Sequence, residues 1–181
     1  MNKLLKAAQF AAIKHEPQRR KNSAATPYIN HPIEVAEYLN RVGGVTDEDV
    51  LVAALLHDTI EDTATTPEEI QELFGDNVLS LVLECTDDKS LDKAERKRLQ
   101  VVNASKKSDQ AKQIKISDKT CNLKSMLSDP PQDWPVSRQL QYFQWAEKVY
   151  NGLKGVNQAL DMEIEMVLRS GFEKLSCAAE K

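Results

Sequence analysis

The segment Val50–Asp62, VLVAALLHDTIED, decides the fold of this chain and points to its chemistry. Its first seven residues are apolar, and it ends in four ionisable side chains, those of His57, Asp58, Glu61 and Asp62. A helix that is apolar on every side is typical of the buried centre of a domain. We therefore predict a central helix over about 47–62, with Thr46 as its N-cap. Acids at the C-terminal end of a helix oppose its dipole, so we expect a cation beside them.

Two more residues extend the case for a metal ion. His31 precedes Pro32 at the predicted start of a helix, and Asp118 lies inside a helix, where aspartate is unfavourable by propensity. Imidazole and carboxylate groups are ligands for divalent ions. Each residue taken alone also fits a structural role, His31 in the core and Asp118 in an ion pair with Lys115 or Lys119. For the ionisable residues at the end of the helix predicted over 47–62, a solvated helix end is the open alternative to a metal site.

The rest of the chain is helical in its pattern, and we predict an all-α fold of about nine helices around one core. Apolar residues recur at three-to-four spacing, and no segment combines strand alternation with hairpin turns. We predict a single domain over residues 1–170 and a frayed tail over 171–181. The predicted helices cover about 4–12, 32–42, 47–62, 67–75, 77–86, 91–106, 110–128, 136–150 and 156–169.

Composition limits the classes of function. The chain has 181 residues and a net charge of -4, which argues against general binding to nucleic acids or anionic membranes. Its three cysteines, Cys85, Cys121 and Cys177, are an odd number without a C-x-x-C pair, which favours a reducing compartment. We expect a cytoplasmic protein without a membrane span. The sequence leaves a homodimer open.

Five motifs in order resemble one known family. They are YINHP (28–32), ALLHDTIEDT (54–63), CTDDKS (85–90), ERKRLQV (95–101) and KISDKTCNL (115–123). Together they resemble the HD-domain superfamily and, more closely, the hydrolase domain of RelA/SpoT homologues. The small stand-alone alarmone hydrolases, called Mesh-type, are the most similar group. The resemblance runs from about residue 7 to 155 and implies a compact HD-type helical bundle.

The resemblance implies a reaction and the residues that carry it. The metal ligands would be His31, His57, Asp58 and Asp118. They would hold one Mn²⁺ per chain, with Fe²⁺ and Zn²⁺ as open alternatives. Glu61 and Asp62 would be catalytic, Asn122 would contact the substrate, and Arg20 and Lys21 would lie near its phosphates. The substrates would be guanosine tetra- and pentaphosphate, ppGpp and pppGpp, which lose their 3′-pyrophosphate to give GDP or GTP.

A substrate with this many phosphates requires cations, and an aromatic ring suits its base. Lys93 shares one helix face with Arg96 and Lys97, at three-to-four spacing, and is a candidate phosphate contact. Tyr142 and Phe143 are candidates for stacking on the base. The alternative for the charges is a solvated helix face, and the alternative for the aromatic residues is a place in the core.

Two other functions compete with an alarmone hydrolase. One is a different nucleotide phosphohydrolase on the same scaffold, such as one that removes the 2′-phosphate of NADPH. The other is a binding module that senses a nucleotide without cleaving it. The complete set of predicted ligands and the Glu61–Asp62 pair argue against the binding module.

Overall fold

The computed structural model describes residues 2–179, and their regular structure is helical. Within this range the one β-bridge pairs Arg19 with Pro27, and no helix has both the length and the apolar character needed to cross a membrane. The prediction of an all-α fold is confirmed. The helices are α1 (Lys3–Lys14), α2 (Asn30–Arg41), α3 (Glu48–Leu56), α4 (Thr59–Asp62), α5 (Pro67–Phe74), α6 (Asp76–Cys85), α7 (Lys93–Asn103), α8 (Asp109–Ser128), α9 (Val136–Leu153) and α10 (Gln158–Ala179), with a 3₁₀ turn at Ala104–Lys106.

Two helices, α3 and α8, form the centre of the fold. Every residue from Val50 to Leu56 in α3 is buried, and so is every residue from Ile114 to Cys121 in α8. Helix α8 packs against α2, α3, α6, α9 and α10, while α3 also packs against α1, α2 and α6. Asp118 therefore lies in one of these buried helices, and His57 and Asp58 directly follow the end of the other.

The helix predicted over 47–62 is interrupted at His57 and Asp58, which accounts for a tenth helix. The His57 ring nitrogen Nδ1 lies 2.7 Å from the carbonyl oxygen of Ala54, and the Thr59 hydroxyl donates to the carbonyl of Leu56 at 2.7 Å. These side chains bond carbonyls near the end of α3, where a helix leaves its last acceptors without intrahelical partners. The chain then turns and begins α4, which is a single turn long.

The N-terminal cap of α3 is Asp47, so the prediction of Thr46 is wrong. The Asp47 carboxylate accepts hydrogen bonds from the backbone N–H groups of Asp49 at 2.9 Å and Val50 at 3.4 Å. An aspartate in this position satisfies free N–H groups and also complements the positive end of the helix dipole. The helix accordingly begins one residue later than predicted, at Glu48.

The C-terminal segment is ordered further than predicted. Helix α10 continues to Ala179, so a frayed tail is wrong for residues 171–179, whereas 180 and 181 lie outside the described residues. The physical reason is packing, because Leu175 is buried and Gly171 lies directly against the ring of Phe143 on α9.

We expect the Gly171→Ala variant to unfold more easily than the wild type. An added Cβ would lie 2.0 Å from Cε1 of Phe143, a fully buried ring, so α9 and α10 would have to move apart. Overpacking of this kind costs about 1–3 kcal/mol. Urea unfolding would measure the change, with Ser170→Ala at the exposed neighbouring position as a control that should be nearly neutral. Equal stability of the two variants would contradict the tight contact.

Candidate metal centre and adjoining cavity

Three buried side chains converge where α2, the end of α3 and α8 meet. One ligand atom from each of His31, His57 and Asp118 lies within 4.8 Å of the other two. Asp118 Oδ1 is 3.0 Å from His31 Nε2 and 3.8 Å from His57 Nε2. The three side chains are nearly inaccessible to solvent. The structure thus brings together residues that are up to 87 positions apart in the sequence.

The environment of His57 calls for a cation. Its Nδ1 is occupied by the carbonyl of Ala54, while its Nε2 has no partner in hydrogen-bonding geometry and lies 3.0 Å from Asp58 Oδ2. Burial lowers the pKa of His57, but the nearby carboxylates of Asp58 and Asp118 outweigh burial and raise it well above its ordinary value. In a neutral ring with its proton on Nδ1, the lone pair of Nε2 faces these carboxylates. That arrangement is repulsive unless a positive ion lies between them. The residues therefore fit a divalent metal ion.

Asp58 lies beside this cluster and is held by a hydroxyl group. The phenol of Tyr28 donates to Asp58 Oδ2 at 2.6 Å, the same oxygen that faces His57. Burial raises the pKa of Asp58, but the charge of His57 has the larger combined effect and leaves that pKa below its ordinary value. The carboxylate is placed at the edge of the three-residue cluster, and its role as a fourth ligand stays a prediction.

Asp118 is fixed by polar contacts on both oxygens. Its Oδ2 accepts a hydrogen bond from Lys119 Nζ at 3.0 Å, and its Oδ1 accepts one from Asn122 Nδ2 at 2.6 Å. Burial raises the pKa of Asp118, but the cations around it, Lys119 foremost, bring it well below its ordinary value. The ion pair that the sequence offered as an alternative to a metal site is therefore present. It occupies one oxygen, and the other oxygen faces the two histidines.

A cavity of about 490 Å³ adjoins the cluster. Tyr28 and Asn122 line it and also bond to Asp58 and Asp118, so these two side chains lie between the cavity and the predicted ligands. A volume of this size suits a nucleotide. Apart from Phe143, the cavity is lined by every residue that the sequence predicts as catalytic or substrate-binding, namely Arg20, Lys21, Glu61, Asp62, Lys93, Asn122 and Tyr142.

Glu61 and Asp62 have different surroundings although they are adjacent in α4. Glu61 Oε2 accepts a hydrogen bond from the backbone N–H of Asp87 at 3.2 Å, and its Oε1 lies 3.5 Å from Arg96 Nη1. Burial and the charge of Asp87 raise the pKa of Glu61 above its ordinary value. Asp62 is instead paired with Lys89, whose Nζ lies 2.6 Å from Asp62 Oδ1. The carboxyl groups of Glu61 and Asp62 are therefore not chemically equivalent.

The two aromatic residues proposed to stack on the base have different surroundings, and for Tyr142 that role stays a prediction. Tyr142 lies on the cavity wall, with its ring centroid 5.8 Å from that of Trp134 and 5.3 Å from that of Trp145. Phe143 is fully buried against α10, so the prediction that it stacks on a base is wrong. A helix turns about 100° per residue, so adjacent aromatic residues face different sides.

Sequence reasoning missed several residues of this site. Tyr28 and Lys119 contact predicted ligands, and Trp145 lines the cavity with its ring centroid 4.6 Å from Lys97 Nζ. The spacing of Tyr142 and Trp145, three residues apart on one helix, was a usable signal for an aromatic wall. Tyr28 and Lys119 stand inside quoted motifs, but nothing local shows that their side chains reach the ligands.

The comparison with protein families agrees with this geometry. The model of the HD domain matches residues 7–154, a range that contains the cluster and every residue lining the cavity. The chain belongs to the HD-domain family. This HD domain is 51% identical over 162 residues to the guanosine-3′,5′-bis(diphosphate) 3′-pyrophosphohydrolase MESH1 of Xenopus tropicalis, which covers 90% of each chain.

Two further relatives support the same placement. The MESH1 enzyme of Homo sapiens is 50% identical over 166 residues, 92% of this chain and 93% of the human one. A solved structure, described as a metazoan ortholog of SpoT that hydrolyses ppGpp and plays a role in starvation responses, superposes with a TM-score of 0.92. It is 47% identical and covers 94% of this chain and 96% of its own. The HD domain thus matches these relatives over nearly their whole length.

Proposed function

We propose that this HD domain is a Mn²⁺-dependent hydrolase that removes the 3′-pyrophosphate of ppGpp and pppGpp, leaving GDP or GTP. The observation that carries the proposal is the buried cluster of His31, His57 and Asp118 behind a cavity lined by cations and by Glu61 and Asp62. The names of the MESH1 relatives state removal of the 3′-pyrophosphate of ppGpp for those proteins.

The ligand set suits the proposed ion. His31, His57, Asp58 and Asp118 offer two nitrogen and two oxygen donors, a mixture that accepts Mn²⁺, with Fe²⁺ and Zn²⁺ as competitors. A divalent ion bound here supplies Lewis-acid polarisation of a phosphate and makes a water molecule more acidic. Lys119 and Asn122 keep the Asp118 carboxylate in place for that ion.

The two acids have different tasks in this proposal: Glu61 transfers protons, and Asp62 orients the water. A water oxygen bonds to the phosphorus attached to the 3′-oxygen, and the bond from that phosphorus to the 3′-oxygen breaks. Glu61 takes one proton from the water, since its raised pKa brings it closer to the working pH, and it returns that proton to the 3′-oxygen as the oxygen leaves. Asp62, held by Lys89, orients the water. One water is consumed, and pyrophosphate and GDP are released.

Cations around the cavity hold the phosphates in this proposal, and Tyr142 stacks on guanine. We expect Lys93→Gln to raise KM for ppGpp about tenfold, which corresponds to 1.4 kcal/mol, with kcat little changed. Lys93 lines the cavity, so the substitution removes one positive charge beside the substrate. Steady-state kinetics would measure it, with Lys106→Gln as the control, because Lys106 is exposed and does not line the cavity. Equal KM values for the two variants would remove Lys93 from the site.

The decisive experiment incubates the protein with ppGpp, NADPH and a deoxynucleoside triphosphate, with and without Mn²⁺. We expect pyrophosphate from ppGpp only when Mn²⁺ is present. Absence of that product would overturn the proposed function, and release of phosphate from NADPH alone would favour the competing phosphohydrolase.

A cytoplasmic location and a homodimer stay predictions, which fractionation and light scattering would test.

A further inference from the structure

Gln18 lies between a buried histidine and one of the two predicted catalytic acids. Its Nε2 donates to Asp62 Oδ2 at 3.0 Å, and its Oε1 lies 2.6 Å from Nδ1 of His15. The other oxygen of Asp62 accepts a hydrogen bond from Lys89 at 2.6 Å. Each oxygen of the Asp62 carboxylate therefore has its own donor, and Gln18, which is half-buried and lines the cavity, supplies one of them.

Hydrogen-bond chemistry fixes the orientation of the three linked side chains, His15, Gln18 and Asp62. A carboxylate only accepts, so the Gln18 amide must turn its NH₂ toward Asp62 and its oxygen toward His15. His15 must then donate from Nδ1. The ring is 2% exposed, and burial lowers its pKa, which favours a neutral ring with a single proton. Its Nε2 has no partner in the described part of the chain, as expected when the proton is on Nδ1.

Backbone hydrogen bonds hold His15 and Gln18 in place. The N–H of Gln18 donates to the carbonyl of His15 at 2.9 Å, and the N–H of Tyr28 donates to the carbonyl of Gln18 at 3.1 Å. The rings of His15 and Tyr28 also pack together, with centroids 4.9 Å apart. Tyr28 donates to Asp58, so two bonded neighbours, Gln18 and Tyr28, deliver one donor each to Asp62 and Asp58.

We propose that His15 and Gln18 form a positioning relay, in which His15 fixes the Gln18 amide and that amide fixes the Asp62 carboxylate at the cavity. The relay rests on the proposed function, because it gives Asp62 the geometry in which the acid orients water. Without the His15 donor, the oxygen side of the amide loses its anchor, so the amide is free to move away from the Asp62 carboxylate, now 3.0 Å from its nitrogen. His15 and Gln18 act through Asp62 and are positioning residues.

The test compares kcat and KM for ppGpp in His15→Leu, Gln18→Leu and the double variant. Loosening a reacting group by about 1 Å costs up to roughly 100-fold in rate, so we expect kcat to fall about 10- to 100-fold while KM changes little. The double variant should be no slower than Gln18→Leu, since the two residues act as one unit. His15→Asn keeps an N–H near the position of Nδ1 and should recover most of the rate.

A matched control and a second readout keep the outcomes separate. Gln9→Leu makes the same change at an exposed position of α1 and should leave kcat unaltered. Ring ¹⁵N NMR of the wild type should show His15 protonated at Nδ1, a signal identified by its loss in His15→Asn. An Nε2-protonated His15, multiplicative losses in the double variant, or a raised KM at constant kcat would each overturn the relay. A wild type inactive on ppGpp would overturn the proposed function, while the NMR result still decides the tautomer.

Discussion

We expect His57→Asn to lose the bound metal ion and, with it, roughly a thousandfold in kcat for ppGpp hydrolysis, about 4 kcal/mol of transition-state stabilisation. Asparagine retains an N–H that can reach the carbonyl of Ala54, now 2.7 Å from His57 Nδ1, but it has no atom in place of Nε2. The substitution therefore removes a ligand and spares the bond at the end of α3. Metal content per chain and steady-state rates would measure the two losses.

The control for this variant is the same substitution at another buried histidine. His15→Asn lies outside the cluster of ligand atoms and should keep the ion, whereas His57→Asn should not. A ligand that binds only the folded state raises the unfolding temperature. Added Mn²⁺ should thus stabilise the wild type and His15→Asn but not His57→Asn. One ion per chain in His57→Asn, with normal turnover, would show that the metal centre is placed wrongly.

Helix existence was predictable from sequence, and the exceptions have physical causes. The helix predicted over 67–75 begins with a capping box between Thr66 and Glu69, a signal that lies within four residues of sequence. The break at His57 depends on a side chain that bonds a backbone carbonyl, and the same letters also fit a continuous helix. The end of α10 depends on Gly171 meeting Phe143, a contact between helices that no local pattern records.

The candidate site was likewise predictable from the sequence only in part. The buried helix that ends in His57 and Asp58 gave a physical reason to expect a cation, but only the ordered motifs linked it to His31 and Asp118. The groups that hold the acids were missed, because their contacts join distant segments. Tyr28 and Asp58 are 30 residues apart, and Gln18 and Asp62 are 44 apart. Such pairs follow from the packing of α1 and α2 against α3, which single-sequence periodicity does not specify.

Glu61→Gln should retain the metal ion and KM but lose about 10²- to 10⁴-fold in kcat, the usual range for removal of a general acid or base. Glutamine can still accept the N–H of Asp87, now 3.2 Å from Glu61 Oε2, so the loop at 87 should stay in place. It cannot take a proton from water. Metal content, KM and kcat, measured on one preparation, separate the loss of proton transfer from loss of the site.

The pH profile gives the sharper test of the same residue. A base must be ionised to work, so wild-type kcat should be full above the pKa of Glu61 and fall as the pH drops through it. Burial raises that pKa, so the fall should begin at a higher pH than for an ordinary glutamate. The residual rate of Glu61→Gln should lack this acidic limb, while Glu68→Gln, at an exposed position of α5, should keep it. A fully active Glu61→Gln would show that Asp62, and not Glu61, is the base. The Asp62 carboxylate would then have to release its hydrogen bond from Lys89 or Gln18 during turnover.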